Sequence, residues 1–204
     1  MLNITIHKTD APKEKPAKGT ALGFGNLFTD HMFLMDYSPD QGWHDARIVP
    51  YGPLTLDPAA SVLHYGQACF EGLKAYRGPD GKVRLFRPDC NGRRMMQSMR
   101  RMCMPEIPEE DFVQAIRALC RVEEAWVPDE IGSSLYFRPL AIATTPKLGV
   151  HASGNYLFCV LASPAGTYYP TGMEPVRIYV EPHYIRAAEG GTGFTKCAGN
   201  YAGA

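Results

Sequence analysis

The sequence has no surplus of either charge. Its 21 Lys and Arg residues match 21 Asp and Glu, for a formal net charge of zero. Without a basic excess, the electrostatic footprint of a nucleic-acid binder or of a protein held at an anionic membrane is missing. No apolar run approaches the roughly 20 residues needed to span a bilayer, so no membrane partner is expected. The opening stretch, MLNITIHKTDAPKEKPAKGT, lacks the apolar centre and small-residue cleavage site of a secretory signal. It reads as a polar, partly mobile leader. Cysteines stand at 69, 90, 103, 120, 159 and 197, with no C-x-x-C pair, and the six histidines are scattered. A clustered zinc site is therefore not expected. Reduced core thiols in a cytoplasmic protein fit this usage better. Internal repeats are also missing.

What is present is the composition of a folded protein, 45% hydrophobic and 21% charged. From about residue 24, short strand-like runs alternate with helical ones. MFLMDY (32–37) and ARIVPY (46–51) read as strands around a polar loop with Gly42. Asp57-Pro58 is expected to open a helix running through VLHYGQACFEG, with Asp as N-cap and Pro in the first turn. LKAYRGPDGKVRLF reads as a hairpin turning at Gly78-Pro79-Asp80-Gly81. Helices are expected over about 88–102 and 108–125. The first carries Met95, Met96, Met99 and Met102 as core filling; the second carries Phe112, Ile116, Leu119 and Cys120 on one face. Inner strands are expected at 134–144 and 155–163. AGTYYPTGMEP (165–175) reads as a linker, and VRIYVEP (176–182) as a new strand beyond it. The expected class is α/β (α+β). The expected division is a leader over 1–23, a small α/β domain over 24–164, an interdomain loop over 165–175, and the start of a larger domain over 176–204. So short a final segment does not enclose a core by itself, so a second domain continuing beyond it is expected.

The chemistry concentrates in GGTGFTKCAGNYAGA (190–204). A Walker loop needs Gly before its Lys and Ser or Thr after it; here Thr195 and Cys197 flank Lys196. A dinucleotide fingerprint needs a glycine where Lys196 stands. Small residues surround the lysine: Gly190, Gly191, Gly193, Ala198 and Gly199. They permit close approach of a flat ligand. Phe194 and Tyr201 add aromatic surface, and no carboxylate lies within six residues on either side. A surface lysine in a turn is the bland alternative. An amine in an uncharged, apolar setting is instead expected to be nucleophilic and suited to a Schiff base with an aldehyde cofactor.

Seven stretches together resemble one family. They are FGNLFTDHM (24–32), LHYGQACFEGLKAY (63–76), RLFRPDCNGRRM (84–95), SLYFRP (134–139), PKLGV (146–150), AGTYYPTG (165–172) and GGTGFTKCAGNYA (190–202). The sequence resembles the branched-chain-amino-acid aminotransferases, fold-type IV enzymes dependent on pyridoxal phosphate (PLP). The resemblance implies a small α/β domain, an interdomain loop and a larger C-terminal domain carrying most of the cofactor site. It implies Lys196 as the Schiff-base lysine and proton carrier, Tyr201 on the cofactor's phenolic oxygen, and Arg94 on its phosphate. Phe28, Tyr136 and Tyr168 match the apolar substrate lining. Arg138 matches the arginine that lets this lining also accept glutamate. Tyr65, Leu148 and Val150 match residues lent by a neighbouring subunit, implying a homodimer with shared sites. Amino acids and 2-oxo acids are the implied small-molecule partners: Leu, Ile and Val, with 2-oxoglutarate as acceptor. D-amino-acid transamination, aminodeoxychorismate lyase activity, or a non-catalytic truncated homologue acting as a binding module stay open as alternatives. The acid opposite the pyridine nitrogen is implied to lie beyond residue 204, so the 204 residues alone are expected to be inactive. His64, His31 and Glu71 are read as structural groups, Glu71 as an anchor beside Gly72.

Overall fold

The computed structural model describes residues 1–167, 169, 172 and 174–203. Among the described residues, eight strands form one sheet, β1 (Thr5–Ile6), β2 (His31–Ser38), β3 (Gly42–Pro50), β4 (Ala68–Phe70), β5 (Leu73–Arg77), β6 (Val83–Leu85), β7 (Ser134–Ala143) and β8 (Tyr156–Ala165). Their order is β1-β3-β2-β8-β7-β5-β6, with β4 also paired to β7. All neighbours are antiparallel except β1 and β3. Three helices accompany the sheet: α1 (Ser61–Tyr65), α2 (Pro88–Arg101) and α3 (Glu109–Val122).

Strand alternation divides the core in two. Phe33, Met35, Leu135, Phe137, Phe158 and Val160 point to the face covered by α2 and α3, where Met95, Met99, Phe112, Ile116 and Leu119 meet them. Met32, Leu34, Ile142, Leu157 and Cys159 point to the opposite face. The methionine spacing on α2 does fill core: Met95 and Met99 are buried, with Met102 packed alongside.

β4 and β5 run along the same edge of β7 in one register, Phe70 opposite Leu140 and Leu73 opposite Phe137. Between them the ladder breaks at Glu71-Gly72. Glu71 N donates to Pro139 O at 2.8 Å. Pro139 has no N–H to return the bond, so the pairing halts there and the corner is left to other contacts.

Four expectations are corrected. The helix expected from Asp57 is one turn only. Asp57 Oδ1 accepts from Ala59 N at 2.8 Å in a local turn. Gly66, at φ 62°, ends α1 in the left-handed conformation, and the residues that follow become β4. The strand expected at 176–182 is not formed; these residues are exposed and pair with no described strand. A strand exists through its ladder, and apolar composition alone does not supply one. Gly42 begins β3 instead of lying in the loop before it. The leader, expected to be partly mobile, is docked. Thr5 and Ile6 pair with Arg47 and Ile48, Thr9 N donates to His31 Nε2 at 2.9 Å, and Lys13 N donates to Asp30 Oδ1 at 2.7 Å. Of the expected linker 165–175, residues 168, 170, 171 and 173 lie outside the described residues. Among the described residues, no helix is long and apolar enough to cross a membrane, and no cluster of His, Cys, Asp and Glu could hold a metal ion.

Candidate active site

Lys196 is placed by its backbone before its side chain acts. Phe70 N donates to Lys196 O at 3.0 Å, and Lys196 N donates to Ser98 Oγ at 2.9 Å. The lysine segment is thereby fixed between β4 and α2. Its own loop is cross-braced by Asn200, which is buried. Asn200 Nδ2 donates to Thr192 O and Thr195 O at 2.8 and 3.0 Å, and Thr192 Oγ1 donates to Asn200 Oδ1 at 2.8 Å. A 3-10 turn, Ala198–Tyr201, then brings the tyrosine back beside the lysine.

Lys196 Nζ donates to Tyr201 Oη at 3.1 Å. The ammonium lies 4.5 Å from the Phe70 ring centroid and 4.7 Å from that of Tyr201. Among the described residues Lys196 has no carboxylate partner. Arg138 completes this face. Its guanidinium carbon is 4.9 Å from the Phe70 centroid, and its Nε donates to Tyr136 Oη at 3.1 Å. Arg138 too lacks an acidic partner among the described residues. Two cations share the Phe70 ring, with no acid partner among the described residues, which makes a site suited to an anionic ligand with a flat or apolar body.

Arg94 approaches from α2. The helical period puts Arg94, Ser98 and Arg101 on one face, four and three residues apart, and Arg101 reaches Gly190 O at 3.3 Å. Arg93 is one step round, tied to Asp89 at 2.6 Å and Glu109 at 3.3 Å. The period thus separates the two arginines. Glu71, fully buried, holds Arg94 through Nε and, at 2.8 Å, Nη2. That pairing raises the Arg94 guanidinium pKa, and the nearby Tyr201 adds to it. Asn91 Nδ2 braces the same carboxylate at 2.7 Å and Gly72 O at 3.1 Å.

Lys196, Tyr201, Phe70, Arg138 and Tyr136 therefore form one connected cluster, and Arg94, held by Glu71, is linked to it electrostatically through Tyr201. Phe28 is not joined to it by a direct contact; it stacks on Tyr51 at 4.8 Å. Tyr65 bonds through its hydroxyl to Leu148 O. With Leu148 and Val150, which are 65% and 87% exposed, it forms a separate surface patch. Tyr168 lies outside the described residues.

No family model matches the chain. Branched-chain-amino-acid transaminase 1 of Bacillus subtilis is 57% identical over 200 residues, covering 98% of this chain and 56% of that protein. The chain is homologous to the branched-chain-amino-acid aminotransferases. A second relative, the branched-chain-amino-acid aminotransferase of Mycolicibacterium smegmatis, is 50% identical over 205 residues, covering 98% of this chain and 56% of that protein. The chain spans about half the length of the relatives it matches. Among solved structures, the Escherichia coli branched-chain amino acid aminotransferase superposes with a TM-score of 0.59 at 20% identity, over 84% of this chain and 52% of that one. The fold is that of fold-type IV branched-chain aminotransferases.

Two residues of this site are absent from the sequence-based candidates. Phe70 was hidden because its segment reads as helix and folds as β4. Ser98 carried a usable signal, a small polar residue within the methionine-rich helix, one turn after Arg94.

Proposed function

We propose that this chain carries the lysine-bearing part of a PLP-dependent transaminase for Leu, Ile and Val, with glutamate and 2-oxoglutarate as the exchanging pair. The residues fit the cofactor: an amine without an acid partner, a phenol beside it, aromatic surface beneath, and an arginine pre-oriented by a buried glutamate. Bound there, PLP would supply an aldehyde carbon and an electron-accepting ring. Lys196 Nζ is the amine that would hold that aldehyde, and it is placed to take and return the substrate α-proton. Tyr201 Oη holds the phenolic oxygen and orients the amine. Arg94 meets the phosphate as a forked donor. Tyr136, Phe28 and Tyr168 exclude water around the apolar side chain. Arg138 provides charge for the second carboxylate of glutamate. Tyr65, Leu148 and Val150 complete the site of a partner subunit in a cytoplasmic homodimer, and residues 176–204 open the larger domain after a 165–175 loop.

The observation that carries this reading is the 3.1 Å contact between Lys196 Nζ and Tyr201 Oη, in a cluster with no acid facing the amine. The test uses the full-length protein incubated with PLP. A yellow absorbance is expected, and borohydride reduction should label Lys196. Label at Lys8 or Lys147 would overturn the assignment. Lys196→Ala should abolish the absorbance and lower turnover at least roughly 1,000-fold. A panel of L-Leu, D-Ala and aminodeoxychorismate should give turnover with L-Leu alone.

A further inference from the structure

We propose that Cys69 and Cys197 are a redox-closable pair, which a small-molecule disulfide converts to an intramolecular disulfide stapling the lysine segment to β4. Neither thiol has a part in transamination, so the inference stands apart from the proposed activity.

The register carries it. Cys69 and Cys197 are antiparallel bridge partners. Their neighbours make the connecting hydrogen bond, Phe70 N to Lys196 O at 3.0 Å. That is the pattern of a non-hydrogen-bonded pair, in which Cα atoms lie about 4.5 Å apart and side chains approach most closely. Disulfides span Cα separations of about 4.4–6.8 Å. Both side chains are buried in the same core cluster, and both are free thiols. Among the described residues no other two cysteines are bridge partners. The described residues between β8 and Cys197 are largely exposed, and Gly190, Gly191 and Gly193 precede the lysine. Local opening of that loop gives a small oxidant access.

The two thiols are chemically unequal. Burial and the adjacent Cys197 push the Cys69 thiol up to about 12. Burial also acts to raise Cys197, but the neighbouring Thr192 and Thr195 and the backbone of Asn200 and Gly199 outweigh it and lower its pKa. Cys197 is therefore the first nucleophile. Its thiolate attacks one sulfur of the small disulfide, forming a mixed disulfide and expelling one small thiolate, which takes up the proton Cys197 gave up. Cys69, losing its proton to solvent, attacks Cys197 Sγ and expels the second small thiolate. The protein pair loses two electrons and two protons; the small disulfide gains them as two thiols.

The test equilibrates the full-length protein with oxidised glutathione, quenches with acid, counts thiols after denaturation and maps peptides without reduction. Two thiols should be lost, with a peptide linking Cys69 to Cys197, and dithiothreitol should restore both. Amide exchange at Lys196 and Ala198 should slow at least about tenfold in the oxidised form. Cys69→Ser should leave glutathione on Cys197 and form no internal link. Retention of every thiol, a link of Cys69 or Cys197 to any other cysteine, or a persistent mixed disulfide in the unmutated protein would overturn the proposal. These outcomes are read on the unmutated chain, so they do not depend on any variant folding.

Discussion

Gly72 has no side chain, and the hydroxyl of Tyr136 occupies the space its Cβ would fill, with Tyr136 Cζ at 3.0 Å and Cε2 at 3.1 Å. Its backbone is not in the left-handed region, so alanine is excluded by space and not by conformation. Gly72→Ala should push Tyr136 off Arg138. We expect KM for a branched-chain substrate to rise about tenfold, a cost of about 1.4 kcal/mol, while the melting temperature changes little. Tyr136→Phe in the same background removes the closest atom and should recover part of the loss. Wild-type kinetics for Gly72→Ala would show that Tyr136 does not shape the site. At this scale the sequence is legible where chemistry is local. Lys196 and Tyr201 are five residues apart, and their contact follows from the turn between them. The Glu71–Arg94 pair spans 23 residues, and Gly72, in the break between β4 and β5, meets Tyr136 of β7. Neither can be read from spacing, although Glu71 is the structural anchor its setting implies.

Helices α2 and α3 and the β5–β6 hairpin follow from local pattern: helical apolar stripes for the first two, Gly and Asp in the turn for the third. α1 does not, because a left-handed glycine outranks an apolar run. The docking of the leader onto β2 and α3 was not legible either, since it depends on buried polar groups far apart in sequence. His31 contacts Glu123 through Nδ1 and receives Thr9 N–H at Nε2. Asp30 Oδ2 accepts from Trp126 Nε1 at 2.9 Å and from Lys15 Nζ at 3.0 Å. Burial alone would raise the Asp30 carboxyl. The Lys13 N–H, the Trp126 indole and the Lys15 ammonium outweigh it and hold it below the ordinary aspartate range. Burial pushes the Glu123 carboxyl the other way, upward, against the pull of His31. A depressed acid stabilises the fold above its unfolded pKa of about 3.9 and loses that contribution as pH falls through the lower native value. Below about pH 4 the Asp30 contribution should therefore fade, followed by Trp126 fluorescence as the leader releases. Asp30→Ala should cost about 1–3 kcal/mol at neutral pH by leaving the Trp126 and Lys13 donors unpaired. Its stability should then lack the acid limb. An unchanged limb in this variant would assign the acid sensitivity to another carboxylate.

Among the described residues, exposed apolar side chains occur singly, as at Phe86 and Ile131, and also gather in two groups. One is the stretch after β8, where Ile178, Tyr179 and Val180 are each 80% exposed or more. The other joins Leu63, Tyr65, Leu148 and Val150. Apolar patches of this kind are covering surfaces. Tyr65 and Leu148 are already tied to each other, so α1 and the 146–150 loop form one unit that can be presented to a neighbour. If that neighbour is a second copy, each Tyr65 serves the lysine of the other subunit. Lys196→Ala and Tyr65→Ala homodimers should then each be impaired. Co-expressed in equal amounts, half of the dimers are mixed, and each mixed dimer has one site with both residues intact. Activity should return to about a quarter of wild type. If Tyr65 acts within its own subunit, the mixed dimer contains no intact site beyond those of its parents, and co-expression should restore nothing.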